Sequence, residues 1–293
     1  MEREKKAILA AIGVYFFWGF TFLASKVAQE YVTPFVLLAY RFDLASLLLA
    51  IPVLAGKRKL CLKGKKWFPL ILLGLLEPCL YFIGEQYGVR LTNSAFSGVM
   101  IAIIPIVTLI AAFFFLGEKP SLGQWLFSIL SIAGIVVITL AENQGGSVNL
   151  PGFLCLLLAV GTGASYTVLN KRIADDYGVY ERTMFSQLLG AAFFTVLSLI
   201  EKRNDLLSLV TPLVNLDFLA AIAYLAVFGS VLGYTLFNYA VANAPTAKVV
   251  VFCNLTTILS VLAGVFLLGE AFSLLSGVAM VAVLIGIWGV QRT

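Results

Sequence analysis

Phe114-Phe115-Leu116-Gly117-Glu118-Lys119-Pro120-Ser121-Leu122 recurs 152 residues later as Phe266-Leu267-Leu268-Gly269-Glu270-Ala271-Phe272-Ser273-Leu274. Each copy closes one apolar run and opens the next. The same spacing, without a gap, pairs Leu80 with Leu232, Tyr87 with Tyr239, Val89 with Val241, Ala95 with Ala247, Ala111 with Ala263 and Gly134 with Gly286. Self-similarity at one fixed period marks a duplicated unit. The beginnings of the two units align less clearly, although Ser25-Lys26 and Asn170-Lys171 hold similar places. Working outward, the chain divides into units at 1–143 and 149–293.

The copied unit belongs in a bilayer. Of the 293 residues 61% are hydrophobic and 12% charged, with a mean hydropathy of +1.00. Soluble domains carry about 25% charged residues, so soluble-globular, disordered and collagenous classes are excluded. A spanning helix needs about 20 apolar residues. Ten such runs lie between turn or charge signals, at 7–29, 34–55, 67–87, 93–116, 121–141, 150–172, 180–200, 217–241, 246–268 and 273–290. The start of the chain is like a signal peptide, but the run is too long and further spans follow at once, so it reads as an uncleaved first helix. No stretch remains for a soluble domain.

Lys57, Arg58, Lys59, Lys63, Lys65 and Lys66 crowd the connection between the second and third runs, and cationic loops stay on the cytoplasmic side. With the N-terminus inside as well, 15 of the 20 Lys and Arg residues, Arg182 among them, fall on the cytoplasmic face. The net charge of +5 is therefore a topology signal, and no nucleic-acid partner is expected. The chain reads as a multi-pass plasma-membrane protein with both termini in the cytoplasm. Five spans per unit is an odd number, so the second unit enters the membrane in the opposite sense. The expected fold is an all-α membrane protein of ten transmembrane helices, arranged as a 5+5 inverted-topology repeat around a central cavity. Such halves can exchange conformations and open the cavity to one side and then the other.

Phe17-Trp18-Gly19 on helix 1, Tyr87-Gly88-Val89-Arg90-Leu91-Thr92-Asn93-Ser94-Ala95 joining helices 3 and 4, and the two Leu-Gly-Glu endings come in a telling order. Together they resemble the EamA-type branch of the drug/metabolite transporter superfamily, over essentially the whole chain. The resemblance implies helices 1 to 4 and 6 to 9 around the cavity, with helices 5 and 10 at the periphery. It implies a secondary transporter that works by alternating access, with export of a small polar or amphipathic metabolite such as an amino acid as the first reading. Import or facilitated passage of a small cationic metabolite is the alternative, and the family does not fix the cargo. The expected partners are a small-molecule substrate, a coupling proton and the lipid bilayer.

The residues argue against an enzyme. No His is present, which removes the usual neutral-pH proton relay and zinc ligand. A lipid-modifying transferase, the competing class, would need a nucleophile elbow, a metal-binding helix or an acidic cluster, and only the loop pair Asp175-Asp176 comes near. The four cysteines, Cys61, Cys79, Cys155 and Cys253, have no paired spacing and read as packing residues. No cofactor, metal or catalytic residue is expected.

Ionisable side chains within a membrane each need a partner, water or a function, and the repeat sorts them. Glu118 and Glu270 occur in both halves and read as architectural. Glu77 and Glu85 occur in one half only, their counterparts being Gly229 and Phe237. Glu77, Tyr81 and Glu85 fall at i, i+4 and i+8 and share a face. Glu77, about 15 Å into helix 3 at 1.5 Å per residue, precedes Pro78, which removes a backbone donor. The two acids either meet cargo or a coupling proton, or are neutralised by Arg41 on helix 2. Arg41 and Asp43, two apart, point in different directions. Lys26 reads as an interfacial anchor.

Tyr15, Trp18, Phe22 and Ser25 make an aromatic stripe on helix 1, which is either plain packing or one wall of the cavity. Polar faces on later helices must point inward. They comprise Thr162, Tyr166 and Asn170 on helix 6, Tyr234 and Asn238 on helix 8, and Asn254 with Thr257 on helix 9. Interhelical hydrogen bonds and cargo contacts explain them equally well. The candidate substrate-binding set is Tyr15, Trp18, Arg41, Glu77, Tyr81, Glu85, Tyr166, Asn170, Tyr234 and Asn254. Pro105 is an expected kink, and Gly84 with Gly88 and Gly229 with Gly233 are expected close-packing pairs.

Overall fold

Hydrocarbon offers backbone N–H and C=O groups no partner but one another, so the apolar runs must become helices. The computed structural model describes residues 2–61, 64–92, 94–142, 150–268 and 273–293, of which 94–96, 141, 142, 260, 264, 267 and 268 are described by backbone alone. Among the described residues ten helices contain a stretch long and apolar enough to span a membrane, and each is labelled by that stretch, which the helix itself can overrun: α1 Glu2–Gln29, α2 Pro34–Leu54, α3 Phe68–Leu91, α4 Ser97–Leu116, α5 Leu122–Leu140, α6 Leu150–Arg172, α7 Val179–Glu201, α8 Leu216–Asn243, α9 Thr246–Ala263 and α10 Leu274–Arg292. No strand occurs among the described residues.

The expected runs survive with longer ends. Helix α1 begins at Glu2 rather than at 7, because Glu2 and Glu4 suit a helix N-terminus and Lys6 pairs with Glu2 at 2.7 Å one turn later. Helix α3 continues to Leu91, past 87. Between α7 and α8 the chain makes two 3-10 turns, Leu206–Leu209 and Thr211–Val214.

Four spans are interrupted. In α3 a π-turn covers Leu75–Leu80, with Glu77 at a non-helical φ of −148° and ψ of 123° and a cis Glu77–Pro78 bond. In α8 a π-turn covers Leu225–Leu232. The helix resumes as Tyr81–Leu91 in one and Gly233–Asn243 in the other, end for end 152 residues apart. Helix α4 consists of Ser94–Ala102 and Ile104–Leu116, with Pro105 in the first turn of the second piece, where its missing N–H costs nothing. The expected kink is there. Helix α9 likewise divides into Thr246–Val250 and Cys253–Leu268.

Packing pairs helices from different halves. Helix α5 lies along α10, α2 along α7, α3 along α6 and α1 along α8. A Cβ on Gly134 would stand 2.8 Å from Ala279 O, and one on Gly286 2.7 Å from Phe127 O, so each glycine admits the backbone of the opposite helix. Ala279 and Phe127 are themselves 152 residues apart. Gly84 and Gly88 do the same for α6, a Cβ on the first lying 2.6 Å from Cys155 O and one on the second 2.5 Å from Leu156 Cδ2.

One end of the bundle gathers the cationic connections. Glu118 accepts from Thr246 N and Oγ1, both at 2.9 Å, and pairs with Lys171 at 2.5 Å. It thus caps the start of α9 and ties it to the end of α6. Lys248 meets Glu4 at 3.2 Å, and Gln291 Nε2 donates to Lys248 O at 2.8 Å, so both ends of the chain lie at this end of the bundle. Glu118 therefore does architectural work, while its repeat counterpart Glu270 lies outside the described residues, as do Asn93 of the helix 3–4 motif and Lys63 of the basic loop. All four thiols are free.

Candidate functional site

The break in α3 turns Glu77 out of the helical ladder and toward α8, where Tyr234 Oη donates to its Oε1 at 2.8 Å. One turn on, Tyr81 Oη donates to Glu85 Oε1 at 3.1 Å, as the i, i+4 spacing allows. Glu77, Tyr81 and Glu85 are half-buried. Each of the two carboxylates meets a tyrosine hydroxyl within the bundle, and among the described residues neither has a further hydrogen-bond partner.

The π-turn of α8 forms the opposite wall. Trp18 Nε1 donates to Gly229 O at 2.9 Å, and a Cβ on Gly233 would stand 2.6 Å from that nitrogen, so the indole fits only because Gly233 has no side chain. Trp18 meets Tyr15 edge-on at 5.4 Å between ring centroids and Tyr234 at 5.6 Å. Phe237 completes the box, tilted against Trp18 at 5.5 Å and stacked on Tyr166 at 6.0 Å. The aromatic stripe of α1 is thus a wall shared with α6 and α8. Phe22, the stripe's third member, is exposed and outside this box.

Arg41 enters from α2. It is 5% exposed; its Nε donates to Ser230 Oγ at 2.9 Å, and its guanidinium lies 5.3 and 5.0 Å from the centroids of Phe42 and Phe82. Among the described residues no carboxylate lies within 4.0 Å of it, and its two terminal nitrogens have no hydrogen-bond partner. Glu85 and Glu77 act on it electrostatically from farther off. Simple neutralisation of an acid by Arg41, one of the two readings of these charges, is not the arrangement found.

A second polar cluster lies deeper in the second half. Tyr166 Oη donates to Asn238 Oδ1 at 3.0 Å, Asn170 Nδ2 donates to the same atom, and Asn238 Nδ2 donates to Thr183 Oγ1 at 2.9 Å. Arg182 binds this group from below, donating to the carbonyls of Tyr177, Asn170 and Asn238 and to the Asn170 side chain. Arg182 was counted with the loop cations; at 1% exposure it is instead wholly turned into the bundle, because the carbonyls at the end of α6 need donors and hydrocarbon supplies none.

Asn254 stands apart. Its Nδ2 donates to Ser131 Oγ on α5 at 2.8 Å, a bond between neighbouring helices. Thr162 bonds back to Leu158 O and Ala159 O within α6. Two cavities lie elsewhere: a groove of about 650 Å³ between α1 and α8, lined by Phe16, Phe20 and Tyr224, and a polar pocket of about 380 Å³ around Glu118 and Lys171. Neither includes Glu77, Glu85 or Arg41.

Residues 5–140 and 150–292 both match the model of the EamA-like transporter family. The chain belongs to the EamA-like transporter family. Its relatives carry transporter names: it is 29% identical to the uncharacterized transporter YcxC of Bacillus subtilis (strain 168), over 98% of this chain and 93% of the relative. A transporter of Archaeoglobus fulgidus is 27% identical over 98% and 99%. The inner membrane transporter YedA of Escherichia coli (strain K12) is 25% identical over 92% and 86%. A crystal structure with 17% identity, covering 98% of this chain and 97% of its own, superposes with a TM-score of 0.79, which shows the shared fold. This EamA-like chain is therefore a multi-pass membrane transporter of the drug/metabolite transporter type, in a family of transporters rather than enzymes.

Sequence reasoning missed three residues of this site, Ser230, Phe237 and Arg182, and the polar face of α7 that carries Thr183 and Gln187. Gln187 is fully buried with neither amide atom partnered. A signal existed, since Thr183, Ser186 and Gln187 fall at i, i+3 and i+4 on α7, the spacing that revealed the polar faces of α6 and α8.

Proposed function

We propose that this transporter moves a small zwitterion, with an α-amino acid as the simplest case, by alternating access, outward from the cytoplasm. The observation that carries this reading is the open guanidinium of Arg41 in the same cluster as two carboxylates it does not pair with. A carboxylate on Arg41 and an ammonium on Glu85 or Glu77 would complete both sets at once, with the substrate side chain against Trp18, Tyr15, Tyr166 and Tyr234. Bidentate guanidinium–carboxylate pairing adds geometric selectivity as well as energy.

Alternating access rests on inverted halves, and several contacts support that relation for 1–143 and 149–293. Exchanging the halves carries the α3–α6 pair onto α8–α1 and leaves α2–α7 and α5–α10 in place. The Gly134–Val283 and Ser131–Gly286 contacts run in opposite directions along α5 and α10, which is what a two-fold axis between antiparallel copies requires. Cytoplasmic termini follow from the cationic end of the bundle. Coupling to a proton on Glu77 or Glu85 is part of the reading, because the chain has no His and these acids face the site.

The test uses purified full-length protein. A zwitterionic amino acid raises the unfolding temperature, since a ligand that binds only the folded form stabilises it by about 2.7 kcal/mol at a hundredfold excess over Kd; its amide and its N-acetyl derivative do not. Equal shifts from the neutralised derivatives overturn the zwitterion. In proteoliposomes, Glu77→Gln or Glu85→Gln abolishes flux driven by a pH gradient, and unchanged gradient dependence in both removes the coupling proton from these residues.

A further inference from the structure

Asp43 does not belong to the central cluster. Two residues from Arg41, it projects from the other side of α2 and is exposed on the outer surface of the bundle. It lies nine residues beyond Pro34, about 13.5 Å along the helix at 1.5 Å per residue, near the middle of a hydrocarbon layer of about 30 Å. The seam with α7 confirms the depth. Thr33 meets Glu201 at one end, Tyr180 meets Leu49 O toward the other, and Asp43 falls between. Leu47, Leu188 and Leu199 share its face and are exposed as well, so what covers Asp43 is hydrocarbon.

An ionised carboxylate there is costly, and such residues pair or turn inward. Among the described residues no cation lies within 4.0 Å of Asp43. Of the other charged or titratable groups on its neighbours, Tyr40 is bonded to Leu209 O, Tyr224 to Phe17 O and Tyr234 to Glu77, while Arg41, whose open guanidinium is buried on the opposite side of α2 against Ser230, Phe42 and Phe82, makes no ion pair with Asp43. On α7, Glu181 and Arg182 sit at the far end and Glu201 at the near end with Thr33. Among the described residues Asp43 has one partner, Thr195 of α7, whose Oγ1 lies 2.9 Å from Oδ1 and 2.9 Å from Oδ2. A hydroxyl has one proton to give. Both contacts are filled as hydrogen bonds when the carboxyl brings a proton of its own, with Thr195 donating to one oxygen and the other donating back.

We propose that Asp43 and Thr195 form a proton-binding site that opens to the bilayer, separate from the central cluster, and that Asp43 is a modification site for membrane-soluble carbodiimides. The reaction balances without a further reagent. The carboxyl proton moves to one carbodiimide nitrogen, the carboxylate oxygen adds to the central carbon, and in a dry site the acyl group shifts from that oxygen to the adjacent nitrogen. The reagent is retained whole, and nothing is oxidised or released. Because α2 and α7 belong to different halves, the proton also closes a clasp across the seam between them.

The experiment treats full-length protein in lipid nanodiscs with dicyclohexylcarbodiimide and locates the adduct by peptide mass spectrometry. The adduct appears on Asp43 on the acid side of its titration and falls about tenfold for each pH unit above the midpoint, as the protonated fraction does. A water-soluble carbodiimide with an added amine labels exposed Glu30 and spares Asp43. Thr195→Val shifts the pH midpoint of labelling by at least about half a unit, and Thr195→Ser restores it. An unlabelled Asp43, labelling by the aqueous reagent as fast as that of Glu30, or a midpoint indifferent to Thr195→Val overturns the proposal. Wild-type labelling decides the first two points even where Thr195→Val fails to fold.

Discussion

The third and eighth spans break at matching positions and carry different chemistry there. The π-turns end at Leu80 and Leu232, and the following helices start at Tyr81 and Gly233. Where α3 has Glu77 and Glu85, α8 has Gly229 and Phe237. The two breaks are complementary: the turn in α3 frees a carboxylate, and the turn in α8 offers a carbonyl to Trp18 and room for Arg41, whose Nη2 would lie 3.3 Å from a Cβ on Gly229. Interrupted backbone inside a membrane is tolerated where it lines a polar interior. The duplication thus supplies two such interruptions, and side-chain divergence makes one acidic and the other a cradle.

Substitutions test this comparison in order of effect. Arg41→Ala removes the cation facing both acids; with a charged hydrogen bond worth about 1.5–3 kcal/mol, initial flux in proteoliposomes falls by roughly ten- to more than a hundredfold. Arg41→Lys recovers only part of it, because an ammonium lacks the planar fork. Gly134→Leu and Gly286→Leu each overpack the α5–α10 contact and cost about 1–3 kcal/mol of stability. Their losses, read as Tm, are equal within error if the halves are symmetric, and a large inequality breaks the symmetry. Glu118→Gln keeps a hydrogen-bonding partner for Thr246 but loses the ion pair with Lys171, whose members are each 22% exposed. A partly wet pair of this kind is worth at most about 1 kcal/mol, and the difference from wild type narrows in high salt. Smallest is Gly229→Ala, whose Cβ would stand 3.0 Å from Thr21 Cγ2. It displaces Arg41 slightly and weakens ligand binding about threefold in a thermal-shift titration, or about 0.7 kcal/mol.

Much of the molecule was legible beforehand. Ten spans, the kink at Pro105 and the close approach of Gly84 and Gly88 to α6 follow from local chemistry, because length, a missing N–H and a missing Cβ act wherever they occur. The architectural reading of Glu118 came from its recurrence, and the structure supplies its partners, Thr246 and Lys171. The polar faces of α6 and α8 converge as expected, through Tyr166, Asn170 and Asn238. Asn254 shows the limit of the same logic, since a polar side chain that points inward can find its partner on an adjacent helix, here Ser131 of α5 for its Nδ2, while its buried Oδ1 has none. Arg182 failed for a related reason. A cation near a span boundary can serve water or backbone carbonyls, and only the position of α6 and α8 beside it chose the latter.

The sequence by itself determined how many times the chain crosses the membrane, where each crossing starts and stops to within about a turn and a half, and that its second half repeats its first. Those properties follow from a one-dimensional demand, that each stretch long enough to cross hydrocarbon be apolar and satisfy its own backbone. Tertiary structure alone decided that Arg41 meets Ser230 and two phenyl rings without forming an ion pair with Glu77 or Glu85, that Tyr234 reaches Glu77, and that Arg182 is buried. A polar side chain in a membrane must find a partner, but several donors and acceptors lie at compatible depths. The packing of helices remote in sequence selects among them.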